Sequence, residues 1–140
     1  MEERLLKYFR DHEAEIFGDL ERLVKAEAST SDLEALAETR KVLEALIRER
    51  TGEEPLVYER EGGHDLVRFE MGEGKEKLLI IGHYDTVHLI GALRYRTEGD
   101  RLYGPGVSDM KSGLISAIWT ARAYKELGID PGRRLIFIFN

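Results

Sequence analysis

The sequence contains no cysteine, which excludes disulfides and thiolate metal sites. No apolar run approaches the roughly 20 residues that span a bilayer. The N-terminus, Met1-Glu2-Glu3-Arg4, is acidic and lacks the apolar core of a secretory leader. A cytoplasmic location is therefore expected. Excess positive charge is absent too: 21 Lys and Arg stand against 27 Asp and Glu, a net charge of −6 with the signs interspersed. That argues against a nucleic-acid or anionic-membrane surface. There is no internal repeat, no low-complexity tract, and no Gly-x-Gly-x-x-Gly or Walker pattern to cradle a phosphate. What remains is ordinary apolar content and high charge in 140 residues, the composition of one globular domain with a modest core.

The patterning is α/β. Residues 2–26 have helical period, with Leu5, Phe9, Ile16, Leu20 and Leu23 on the inner stripe and Gly18 as the point of weakness or break. His12 reads as a residue of the solvated face. Ser31 and Glu34 have capping-box spacing, so a second helix should start there, bury Leu33, Leu36, Leu43, Leu46 and Ile47, and end at Gly52. Residues 55–60 and 65–70 read as a hairpin whose turn carries His64, an exposed polar residue unless something brings it near His83. Residues 94–103 read as a second hairpin turning at Glu98-Gly99-Asp100. Met110 to Leu127 reads as a third long helix, with Leu114, Ile115, Ile118, Ala121 and Leu127 facing a sheet and Trp119 and Tyr124 packed in the core.

The stretch from Leu78 to Lys111 organises the rest. Leu78-Leu79-Ile80-Ile81 is a continuous apolar run, the signature of a buried parallel strand, and Lys77–Gly82 is read as the central strand. It ends in His83-Tyr84-Asp85. A Gly-rich turn, Gly104-Pro105-Gly106, then delivers Asp109 just before a helix. Ligands of open α/β sheets sit beyond the carboxyl ends of such strands, so His83, Asp85 and Asp109 should converge on one rim. Alternation along extended chain points positions 83 and 85 the same way. Imidazole and carboxylate are zinc ligands. Each feature also has a plainer reading: a local His–Asp pair, a simple turn, a carboxylate favoured by a helix dipole. All three in order favour the metal. His88, in the loop of residues 87–92, reads either as a support or substrate residue or as a histidine on the pocket rim. Strand, helix and a last strand, residues 134–139, make a βαβ unit.

Gly82-His83-Tyr84-Asp85-Thr86-Val87 followed by Tyr103-Gly104-Pro105-Gly106-Val107-Ser108-Asp109-Met110-Lys111 resembles the dinuclear zinc exopeptidase and deacylase family. That family includes glutamate carboxypeptidases, aminoacylases, acetylornithine deacetylases and succinyl-diaminopimelate desuccinylases. The likeness is closest to the glutamate carboxypeptidase branch, where a Leu-containing loop and a Glu-Gly-Asp turn separate the two motifs. Ser112 departs from the pattern, which often has Gly there.

The resemblance implies an α/β fold, with residues 1–140 forming the N-terminal part of a catalytic domain: a mixed sheet, a βαβ crossover and packed helices. It implies His83 and Asp109 as metal ligands, Asp109 bridging two zinc ions for which cobalt or manganese can substitute. Asp85 becomes the catalytic-site carboxylate that holds His83 in one tautomer, and the Asp109–Met110 peptide bond should be cis. No substrate-binding residue is assigned. The implied parent hydrolyses a peptide or N-acyl-amino-acid amide bond. Its general base, its remaining ligands and its dimerisation domain would follow Asn140, so the alternative for this chain is a non-catalytic module that binds metal weakly. Self-association, or association with the remainder of the parent, is expected near residues 134–139 or the sheet face beside them.

Overall fold

The computed structural model describes residues 1–140. Two helices open the chain, α1 (Glu2–Asp11) and α2 (Glu13–Lys25), followed by α3 (Leu33–Thr51). The break between the first two falls at His12, with Gly18 inside α2. His12 is half-buried: its Nδ1 lies 2.8 Å from the Tyr8 carbonyl oxygen, and its ring stacks on Tyr8 with centroids 4.2 Å apart. The ring also lies against Trp119 of the last helix, centroids 5.5 Å apart, a contact distant in sequence that corrects the solvated-face reading. At the start of α3 the capping residue is Asp32, whose Oδ1 accepts from the Ala35 amide at 3.0 Å, so the cap lies one residue beyond Ser31. Leu33 is then 48% exposed, whereas Leu36, Leu43, Leu46 and Ile47 are buried as their spacing predicts. Gly52 ends the helix at φ 72°, a conformation that glycine adopts without strain.

The sheet contains β1 (Leu56–Tyr58), β2 (Leu66–Met71), β3 (Lys77–Gly82) and β6 (Arg134–Phe139), in the order β1-β2-β6-β3. The hairpin β4 (Arg96–Glu98) and β5 (Arg101–Tyr103) stands apart as expected. β6 pairs antiparallel with β2 and parallel with β3, and α4 (Ser112–Glu126) connects β3 to β6. The central strand is thus β6, and β3 is an edge. This reverses the expected roles: both strands read as apolar runs, and periodicity carries no information on strand order. Consequently the final strand lies inside the sheet, and its edges are β1 and β3.

The helices cover one face of the sheet. On that face Val67, Phe69, Leu135, Phe137 and Phe139 are buried, with Phe69 and Phe137 stacked at 4.3 Å. Leu114, Ile115, Ile118, Trp119 and Ala121 of α4 close the core from above. The opposite face carries Leu79 and Ile81, in register with Ile136 and Ile138, and no helix lies over it. Leu79 is 50% and Ile81 64% exposed. No helix is long and apolar enough to cross a membrane.

Candidate metal centre

His83 follows directly on Gly82, the last residue of β3. A Cβ at Gly82 would overlap the Leu114 methyl and press on Met110, so only glycine lets α4 lie this close. The turn of residues 104–106 brings in the second carboxylate. Gly106 has φ 78°, and a Cβ there would stand 2.7 Å from Thr86. Val107–Lys111 follows as one wide turn in which Asp109 and Met110 depart from helical geometry, and their peptide bond is cis, as the family resemblance implies.

The three expected residues converge. Asp85 Oδ1 accepts from His83 Nδ1 at 2.9 Å, and Asp109 Oδ1 lies 3.0 Å from His83 Nε2. Burial alone would lower the His83 pKa. The hydrogen bond to Asp109, the Asp85 backbone carbonyl and the charges of both carboxylates outweigh it and raise the pKa above its usual value. With both ring nitrogens facing carboxylates, the imidazolium form is favoured. The neutral form keeps its proton on Nδ1 and turns a lone pair toward Asp109. The carboxylates are not equivalent: the Asp85 side chain is 16% exposed, that of Asp109 88%. Asp85 is committed to holding the ring, while Asp109 stays free to take a ligand.

Two residues that the sequence did not single out complete the support. Thr30 Oγ1 donates to Asp85 Oδ2 at 2.6 Å. It is carried there by a parallel bridge in which Thr86 N bonds Ala28 O at 2.7 Å and Thr30 N bonds Thr86 O at 2.9 Å. Lys111 anchors the Asp109 turn from beneath: its fully buried Nζ donates to the carbonyl oxygens of Leu23 at 3.0 Å and Ala26 at 2.7 Å, closing the end of α2. Desolvation pushes its pKa down to about 8, against the raising influence of Glu27 and Asp85. The only sequence signals were the Ser-Thr-Ser break and a lysine following Asp-Met.

His64 is not the exposed turn residue its position predicts. Its Nε2 lies 3.0 Å from the Thr30 carbonyl oxygen and its Nδ1 3.9 Å from Asp85 Oδ2, so it flanks the support and does not face the opening. His88 is exposed on the rim of a cavity of ≈ 290 Å³ lined by Thr30, His83, Asp85, Thr86, Val87 and Asp109. No group of three His, Asp or Glu side chains is poised to hold one metal ion. In kind, the imidazole and free carboxylate suit a divalent cation of zinc's character. In number, the chain provides two such donors.

The family model described as Peptidase family M20/M25/M40 matches residues 79–140. Carboxypeptidase G2 of Pseudomonas sp. (strain RS-16) is 33% identical over 135 residues, covering 93% of this chain and 32% of that protein. Among solved structures, the M20 family metallo-carboxypeptidase Sso-CP2 from Sulfolobus solfataricus superposes with a TM-score of 0.80 at 21% identity, over 90% of this chain and 30% of that one. Human carnosine dipeptidase 1 superposes at 0.83 with 20% identity, over 100% and 34%. At such identities these two structures speak for the fold alone. The chain spans about a third of the length of each of these relatives. Over residues 79–140, which carry His83, Asp85 and Asp109, the chain is thus similar to Peptidase family M20/M25/M40, and over its whole length it shares the fold of these solved structures.

Proposed function

We propose that residues 1–140 form the N-terminal part of the catalytic domain of a metal-dependent hydrolase that cuts a peptide or N-acyl-amino-acid amide bond, of carboxypeptidase or deacylase type, with zinc as its metal. The observation that carries the reading is His83 held between a buried carboxylate and an exposed one. In this reading His83 and Asp109 hold the cation. Once bound, such a cation polarises a scissile carbonyl and acidifies water. Asp85 keeps the His83 proton on Nδ1, which fixes the ring and makes Nε2 a better donor. Thr30 occupies the second oxygen of Asp85 and stops that carboxylate from turning away. Relatives named as carboxypeptidases support the substrate class.

Zinc titration followed by imidazole proton resonances tests the site. The His83 signals should shift on zinc addition, and His83→Ala should abolish saturable binding. Asp85→Asn should weaken it roughly 10–100-fold, the usual cost of losing a carboxylate behind a metal-bound histidine. Equal zinc affinity in the wild type, His83→Ala and Asp109→Ala would defeat the assignment. A second reading, a metal-binding α/β module without turnover, is favoured by the donor count of two and by a cavity lined by no glutamate. Turnover of an N-acyl-glutamate by the zinc-loaded chain separates the two. No measurable release is expected, since a positioned base contributes roughly 10²–10⁴ in rate. Zinc-dependent release would show that this chain is itself the enzyme.

A further inference from the structure

His64 is carried by a turn that is itself firmly anchored. Asp65, the next residue, is held at three points. Its Oδ1 accepts from the Arg60 amide at 3.0 Å, closing the turn between β1 and β2. Its Oδ2 lies 3.1 Å from Arg40 Nε of α3, in an ion pair mostly withdrawn from water. Its carbonyl oxygen accepts from the Tyr84 hydroxyl at 3.0 Å. Tyr84 is buried and is the middle residue of the His83-Tyr84-Asp85 triplet. The turn therefore grips the triplet at its centre. His64, one position earlier, reaches past it to the residue that supports Asp85.

That residue is Thr30, which is exposed and sits inside a turn closed by Asp32 N on Ser29 O at 2.9 Å. Its hydroxyl carries one hydrogen and faces two acceptors, Asp85 Oδ2 at 2.6 Å and the Thr86 carbonyl oxygen at 3.0 Å. The charged oxygen is the stronger acceptor, so the hydrogen goes to Asp85 for as long as Thr30 is held in place. The Thr30 amide is fixed by Thr86 O. The Thr30 carbonyl accepts from His64 Nε2 at 3.0 Å; a carbonyl cannot donate, so Nε2 carries the hydrogen. We infer that His64 is a positioning residue of the candidate metal centre: by bonding the Thr30 carbonyl it keeps the Thr30 hydroxyl on Asp85, and Asp85 in turn keeps the His83 Nδ1 proton. His64 does not hold Asp85 directly, since its Nδ1 stands 3.9 Å from Asp85 Oδ2, beyond a hydrogen bond. Its hold on the His83 ring runs through Thr30. The consequence for metal binding rests on the reading of His83 as a ligand; the hold on the ring does not.

In the metal-free chain the His83 Nδ1–H is observed by heteronuclear NMR and identified by its loss in His83→Ala. Its exchange with water should be about 3–10-fold faster in His64→Ala, the scale of one lost hydrogen bond. His64→Gln, whose side-chain amide can donate from close to the Nε2 position, should restore the wild-type rate. An unchanged rate in His64→Ala, or a raised rate that His64→Gln fails to restore, overturns the inference. On a Thr30→Val background, which lacks the hydroxyl, His64→Ala should add nothing; a further acceleration of the same size would refute the route through Thr30. If His64→Ala fails to fold, His64→Asn takes its place, because its amide ends near the Nδ1 position and short of the Thr30 carbonyl. Zinc affinity should also fall about 3–10-fold in His64→Ala, less than in Asp85→Asn, and recover in His64→Gln. Wild-type affinity in His64→Ala counts against the positioning role. A wild-type chain that takes up no zinc at His83 defeats the metal reading instead, and the exchange rate of the metal-free protein then decides the role of His64 alone.

Discussion

Lys111 is a cation fully withdrawn from water, held by two main-chain carbonyls. Its folded pKa of about 8 lies below the ordinary lysine value of about 10.4. Below pH 8 both folded and unfolded chains carry the charge, and the folded state bears the full desolvation penalty. Between pH 8 and about 10 the unfolded chain still binds this proton while the folded one releases it, so stability rises with pH. The gain is on the order of 3 kcal/mol across the full shift. It is reversed further up, because burial raises the pKa of Tyr84 to about 12 and the folded state then keeps a proton that the unfolded chain gives up. Urea midpoints should climb from pH 7.5 to 9.5 in the wild type and stay level in Lys111→Met. At Gly82 the expectation is steric: Gly82→Ala drives a methyl into Leu114 and should cost about 1–3 kcal/mol in denaturant unfolding, as overpacking does.

At the level of elements, α3 offers a clean comparison. Asp32 Oδ1 caps the Ala35 amide, whereas the Ser31 hydroxyl contacts only Ser29, at 3.4 Å. Asp32→Ala should therefore lower stability by about 1 kcal/mol, with Ser31→Ala close to neutral. A calorimetric melt of the two variants ranks them. The same helix shows what the sequence could and could not disclose. Its buried stripe and Gly52 terminus were readable because they are periodic and local; its first residue was not, because two adjacent side chains are both competent caps. The candidate site divides in the same way. His83, Asp85 and Asp109 were legible as two motifs with a fixed separation. Thr30 and His64 were not, since they reach Asp85 through a bridge to residue 86 and a hairpin turn far away in sequence. Strand order was hidden for a different reason: β3 and β6 are equally apolar, and nothing local says which will be flanked on both sides.

For the molecule as a whole, one buried carboxylate joins three helices. Asp19 of α2 takes Arg50 of α3 in a forked pair at 2.7 and 2.9 Å and accepts from Trp119 Nε1 of α4 at 2.8 Å. The Trp119 ring is flanked by the guanidinium groups of Arg50 at 5.0 Å and Arg122 at 4.6 Å. Asp19→Ala strands a guanidinium and an indole N–H, so a loss of about 3–5 kcal/mol is expected, measured as a fall in urea midpoint. The strand order has a further consequence, for the chain as it is synthesised. β2 and β3 are adjacent in sequence yet do not touch; each bonds to β6, whose residues are translated some sixty positions later. While a ribosome works through α4, both strands are outside the exit tunnel with apolar side chains and no common partner. The helices can associate during this interval, but the sheet must wait until residue 139 is clear of the tunnel. A nascent chain stalled before that point should be digested at Leu66–Met71 and Lys77–Gly82, and one stalled well after it should resist.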